Sequence, residues 1–271
     1  MRDITMPFKP IRSQAHQKGM ALFVVIVFVM LSMLLALWAS RTSMFNEMLV
    51  GNDADYQRAF MAAEALIQDA ELDIRNEGPD GLPCAGVNCR NNIAAAAKIP
   101  LDKAELSRTL AELDTQLTKC FSGLCTKRSG RQDFWNYSSA LTPAPTNIQP
   151  GEVKLTDMLN PNIGARYGQY TGATLGDVDN PANAILADRS ANDRGGWYWI
   201  EMLPYRDDPA KKALVVNDKG ASNDNFLPLN MDPQVVYRIT AIAFGRKRAA
   251  DGSPVTRAII QQVYARHNRK D

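Results

Sequence analysis

The chain has 271 residues, of which 45% are hydrophobic and 22% charged, a length suited to one large domain or two small ones. Its net charge of +2 is too small for a nucleic-acid binder that works by neutralising phosphates. Its two histidines, His16 ahead of the apolar run described next and His267 within the last five residues, are poorly placed for a Ser-His-Asp, Cys-His or histidine-metal site.

Residues 1–19 carry Arg2, Lys9, Arg12 and Lys18 against Asp3, a net +3. Residues 20–39 follow without a charge, and Ser32 is the only clearly polar side chain among them. At about 1.5 Å per residue such a helix spans ~30 Å, the hydrocarbon thickness of a bilayer. The positive-inside rule places the N-terminus in the cytoplasm and exports everything after Arg41. A secretory signal would have a shorter apolar core, about 7–15 residues, before its cleavage site. Small residues around Ala36, Ala39 and Ser40 nevertheless allow such a cut, and an uncleaved anchor is a further alternative.

The junction Gln17-Lys18-Gly19-Met20-Ala21-Leu22 resembles the leader of type IV pilins and pseudopilins. The resemblance implies that a membrane-bound prepilin peptidase cuts between Gly19 and Met20 and methylates Met20, leaving 252 residues. Most of that family carry Glu at the fifth mature position, where it is thought to pair with a neighbour's terminal ammonium in lipid. Here that position is Val24, which implies a subunit with no ammonium above it, at a filament tip. The alternative is that Val24 is simply a lipid-facing residue of an anchor.

Beyond residue 40 a helical pattern continues, with Phe45, Met48, Leu49, Asn52, Tyr56, Ala59, Phe60, Ala63, Leu66, Ile67 and Ala70 at three- and four-residue steps. Asp53, Asp55, Arg58, Glu64, Asp69 and Glu71 are expected off that stripe, and Gly78-Pro79 supplies a stop. The spacing predicts one helix over 20–77, with 20–40 in the membrane and 41–77 exported and amphipathic.

Residues 78–195, rich in Gly, Pro, Asn and Asp, read as a loop-rich insertion with helical intervals at 91–99 and 101–119. Cys84 and Cys89, and Cys120 and Cys125, are equally spaced pairs on the exported side, where disulfides persist. Three connectivities are open, and two local loops are preferred because both segments carry Gly. A zinc site would show two-residue spacing instead. Asp177 and Asp179 alternate like the start of a calcium loop, but Ala182 and Asp188 stand where an EF-hand needs Gly and Glu, so a solvated turn is the competing reading.

Residues 196–271 read as an antiparallel sheet region. Gly196 to Leu203 is a strand candidate with Trp197 and Trp199 on one face, either a partner surface or packing against a helix. Ala213 to Val216 is a short second candidate. Val235 to Phe244 and Val255 to Ala265 alternate around a polar turn and form a hairpin. Arg246-Lys247-Arg248, Arg266, Arg269 and Lys270 are basic clusters that could touch DNA or acidic subunits, with solvated charge the preferred reading. No phosphate loop, Gly-x-Ser-x-Gly elbow or His-Glu-x-x-His occurs, and nothing calls for catalysis.

The runs around Gly51-Asn52 and Ala62-Ala63-Glu64-Ala65, with Tyr237-Arg238-Ile239-Thr240, Phe244-Gly245 and Gln261-Gln262-Val263-Tyr264, resemble the PilX-type minor pilins over about 17–75 and 235–265. This implies an α+β pilin-like fold, with a long N-terminal helix, half transmembrane, packed on a C-terminal antiparallel sheet. It further implies a non-catalytic inner-membrane protein with a periplasmic domain that helps initiate type IV pilus assembly and joins the tip complex at the cell surface. The implied partners are other minor pilins, the major pilin, the prepilin peptidase and a large tip adhesin. A type II secretion tip pseudopilin and a membrane-anchored periplasmic enzyme are the alternatives.

Overall fold

In the computed structural model one helix, α1, runs from Lys18 to Arg75. The structure describes residues 18–92, 98–100, 102–128, 133–136, 152–204 and 235–266. Most of the leader, the centre of the 91–99 interval, the strand candidate at 213–216, both histidines, Arg269 and Lys270 lie outside them. The chain divides into two units, Met1–Gly51 and Asn52–Asp271.

In the first unit every residue over 20–50 is exposed, apart from a half-buried Gly51 at its end. A helix that is apolar on all sides needs lipid or other helices around it. Two of its hydroxyls have acceptors within the helix: Ser32 Oγ donates to the Phe28 carbonyl, and Thr42 Oγ1 donates to the Trp38 carbonyl at 3.0 Å.

In the second unit α1 buries Asp55, Ala59, Ala62, Ala63, Leu66, Ile67, Asp69, Ala70, Asp73 and Ile74. Two expectations are corrected here. Phe45, Met48, Leu49 and Tyr56 are exposed, whereas Asp55 and Asp69, expected off the stripe, lie on it. The alanines let the sheet come close, and a Cβ on Gly196 would meet Leu66 Cδ1 at 2.5 Å. The helix ends before the predicted stop because Asn76 takes a left-handed conformation, φ 58°. Glu77 N–H then bonds the Leu72 carbonyl at 2.9 Å and Asn76 N–H the Asp73 carbonyl at 3.1 Å, which satisfies two terminal acceptors.

Among the described residues five strands follow in sheet order: β1 Cys120–Phe121, β2 Leu124–Cys125, β3 Gly196–Pro204, β4 Val235–Phe244 and β5 Arg257–Ala265. β4 and β5 form the expected hairpin without a register slip, from Val236 opposite Ala265 to Phe244 opposite Arg257. β2 runs parallel to β3, with Leu124 beside Ile200. The insertion is therefore not separate from the sheet, since it supplies β1 and β2. Among the described residues it also holds the α-helices α2 Lys103–Asp114, α3 Leu155–Met158 and α4 Ala184–Ala187. The Asp102 carboxylate caps α2 through Ala104 and Glu105 N–H, both at 2.8 Å.

β3 is buried on both faces over its first seven residues. Tyr198, Ile200 and Met202 pack with Tyr237, Ile239 and Ala241 in the cluster that includes α1. Trp197 and Trp199 point the other way, into a second cluster with Cys120, Cys125, Phe134, Val153, Met158, Ile242 and Phe244. The Trp pair is thus not a surface patch, and the cluster it packs in includes Leu155 and Met158 of α3. The insertion covers it, and this double burial makes the sheet a middle layer.

Candidate functional site

α1 carries the residues on which the sequence reading turned. Lys18, Gly19 and Met20 form its first turn. Met20 is 78% exposed and Val24 57% exposed, with apolar neighbours throughout. The only charged side chains over 20–50 are Arg41 and Glu47.

In the second unit three carboxylates on the buried face of α1 each fasten a distant segment. Asp55 accepts from Arg246 N–H at 2.9 Å, Lys247 N–H at 3.3 Å and the Thr256 hydroxyl. Gly245 lies so close to Asp55 and Thr256 that a Cβ there would overlap both. Burial works to raise the Asp55 pKa, but these donors outweigh it and hold the group below its ordinary value. Asp69 accepts from Gly168 N–H at 2.7 Å and from the Thr171 hydroxyl. Burial dominates there, reinforced by Asp73, and pushes its pKa up to about 6 against those bonds.

Asp73 receives Arg90 Nε at 2.7 Å and Nη2 at 2.6 Å, and the Tyr198 hydroxyl at 3.0 Å. Arg90 also stacks 3.8 Å above the Tyr170 ring and donates to the Ser122 carbonyl at 3.0 Å. Burial opposes its charge, and Asp73 more than restores it, raising the Arg90 pKa.

On the opposite sheet face Glu201 accepts from Arg238 Nε at 2.6 Å and Nη2 at 2.9 Å, and from Arg128 N–H at 3.1 Å. The Arg128 guanidinium sits 3.4 Å from the same carboxylate and 3.8 Å over the Phe134 ring. Burial lowers its pKa to about 10. These groups hold segments together. Asp73 and Arg90 also line a cleft of about 300 Å³ beside the end of α1.

Disulfides join Cys84 to Cys89 and Cys120 to Cys125. The second bridges residues directly opposite in the β1–β2 hairpin. Asp177 and Asp179 are exposed, and Asp179 N–H bonds Asp177 Oδ1 at 2.9 Å as in a simple turn. Among the described residues no three His, Cys, Asp or Glu side chains gather as metal ligands. The basic run at the hairpin turn is partly engaged: Lys247 Nζ reaches Asn52 Oδ1 at 3.0 Å, and Arg248 pairs with Asp193 at 3.5 Å.

Sequence reasoning missed the Asp73–Arg90–Tyr198 and Glu201–Arg238–Arg128 groups. A signal existed for the first, because Asp69 stands three residues from Leu66 and Asp73 three residues from Ala70 on the apolar stripe.

Residues 121–266 match the family model described as type IV pilus assembly protein PilX C-term, and residues 18–67 match PilX N-terminal. No curated protein and no solved structure matches the chain.

Proposed function

We propose, for a chain that belongs to the PilX family of type IV pilus minor pilins, a non-catalytic role in starting pilus assembly and in forming the tip complex. The observation that carries the tip assignment is Val24 at the fifth position after Gly19. A subunit with no carboxylate there has nothing to offer the ammonium of a neighbour above it, so it is best accommodated where no such neighbour exists.

The mechanism is packing. Before assembly the apolar half of α1 lies in the inner membrane, with the N-terminus cytoplasmic and the second unit periplasmic. The prepilin peptidase cuts after Gly19 and Met20 is methylated. The same apolar face then exchanges lipid for the helices of the major pilin and other minor pilins, without exposing it to water. The second unit sets its neighbours, including a large tip adhesin, by surface complementarity. The family match favours this reading over a secretion pseudopilin.

Intact mass and N-terminal sequencing of the protein from membranes, with the peptidase present and deleted, tests the reading. Peptidase-dependent loss of residues 1–19 and a methylated Met20 are expected. An unprocessed Met1, or a cut after Ala39, would overturn it.

A further inference from the structure

The two edges of the sheet are built differently. At one edge β1 is two residues long, Cys120–Phe121, and is stapled to β2 by the Cys120–Cys125 disulfide. Such a short, closed edge gives an incoming strand little to pair with. At the other edge β5 runs for nine residues, Arg257–Ala265, against a usual length of about five or six. It keeps register with β4 over nine pairs without a bulge, contains no proline or lysine, and carries its one charge, Arg257, at its start. The devices that normally blunt an edge are missing from it.

The hairpin decides which backbone groups of β5 face outward. Gly245 N–H bonds the Thr256 carbonyl at 2.9 Å, one step beyond the Phe244–Arg257 pair. Bonded and non-bonded pairs alternate in an antiparallel ladder, so Ala258, Ile260, Gln262 and Tyr264 bond β4, while Ile259, Gln261, Val263 and Ala265 turn their N–H and C=O groups away from it. Among the described residues no strand or loop backbone bonds those outward groups. Gln261, Gln262 and Val263 are exposed, Val263 at 65%. Ile259 packs against the cluster that holds Trp197, and Ile260 against the cluster that holds α1. A strand added here would extend both layers.

Charge selects the strand. Arg257 opens β5 and Arg266 follows its other end. The Arg257 guanidinium bonds neutral groups, the Trp135 carbonyl at 2.9 Å and Asn136 Oδ1 at 3.4 Å. Arg266 lines the cleft of about 300 Å³, whose acids Asp73 and Glu77 are already paired with Arg90 and Arg75 of the same cleft. A second copy is a poor fit, because β5 laid antiparallel on β5 about Gln261 sets Arg257 opposite Ala265, beside Arg266, at both ends. We infer that the β5 edge accepts an extended segment of a different protein, one that alternates apolar and polar residues and bears a carboxylate at each end for Arg257 and Arg266. Main-chain bonds to Ile259, Gln261 and Val263 supply affinity, and the two guanidinium ions select the segment. The inference stands on the sheet edge and does not depend on the pilin reading.

The test uses the full chain in detergent and, as probe, a peptide of alternating Val and Thr, about nine residues long, with Asp at both ends. Bound peptide should slow amide exchange at Ile259, Gln261 and Val263, which exchange freely in the chain alone, while Ile260 and Gln262 are protected throughout. Val263→Pro removes an outward N–H and leaves the β4 ladder its bonds, so it should abolish binding with little change in melting. Arg266→Glu, or Lys in place of Asp in the peptide, should weaken binding at least about tenfold, the loss of a charge-assisted contact. If Val263→Pro melts early, Arg266→Glu and the Lys-flanked peptide decide. Slow exchange at the outward amides in the chain alone would mean that the chain covers its own edge, and protection that grows with protein concentration would mean a second copy. Either overturns the inference, as do equal binding of the Lys-flanked peptide and no binding at all.

Discussion

Asp73 and Arg90 form a two-pronged ion pair, at 2.7 and 2.6 Å, whose side chains are 0% and 2% exposed. It ties the last turns of α1 to the start of the insertion and, through Tyr198, to β3. Removing one partner strands a buried charge. Asp73→Ala should therefore cost about 3–5 kcal/mol, whereas the double variant Asp73→Leu/Arg90→Met should recover part of that. Urea unfolding of the full chain in detergent checks this. A double variant as unstable as the single would contradict it.

Asp69 has the opposite pH dependence to an ordinary paired carboxylate. Its folded pKa of about 6 lies above the usual 3.8, so the folded state binds the proton more tightly. Its contribution to stability grows as pH falls through 6 toward 4, by at most ~3 kcal/mol. Asp69→Asn should remove this slope, seen by comparing urea midpoints of the two proteins at pH 7.5, 6 and 5. Parallel curves would refute the assignment.

Asp55 carries the ordinary sign. Its pKa is held below 3.8, so the stability it contributes is present at neutral pH and is lost as pH falls below that value. Asp55→Ala leaves two N–H groups and the Thr256 hydroxyl without their acceptor and should cost about 1–3 kcal/mol at pH 7. Amide exchange at Arg246 and Lys247 should quicken while that of the β3–β4 ladder changes little.

The Cys120–Cys125 bridge closes a short loop. On the chain-entropy view, replacing both cysteines by serine should lower stability by about 2 kcal/mol. The loss should centre on β1 and β2, so exchange at Ile200, whose N–H bonds the Gly123 carbonyl at 2.7 Å, reports it.

Val24→Glu tests the tip assignment. Restoring a carboxylate at the fifth mature position should let the subunit take places along the shaft, and gold labelling should shift from filament ends to their length. Labelling confined to the ends in both proteins would remove the significance attached to Val24.

Several elements were legible from local pattern alone. Twenty uncharged residues after a basic leader marked the apolar half of α1. Alternation marked β3 from Gly196 and the β4–β5 hairpin, whose turn residues set a register the structure keeps over nine pairs. Equal spacing and nearby glycines suggested the local disulfides. Each signal lies within a few residues of what it specifies.

Tertiary structure decided the rest. Period two showed that Trp197 and Trp199 share a face but not that the insertion covers it, because Phe134 and Met158 lie far away in sequence. The parallel pairing of β2 with β3 likewise depends on segments about 75 residues apart. Asp55 and Asp69 looked like solvent-facing charges, and Asp73 drew no notice, because a carboxylate is tolerable inside only with donors. Those donors, Arg246, Gly168 and Arg90, come from segments that the chain brings together only on folding. Sequence set where apolar surface must be hidden; which polar groups could be hidden with it was settled by the partners the fold delivered.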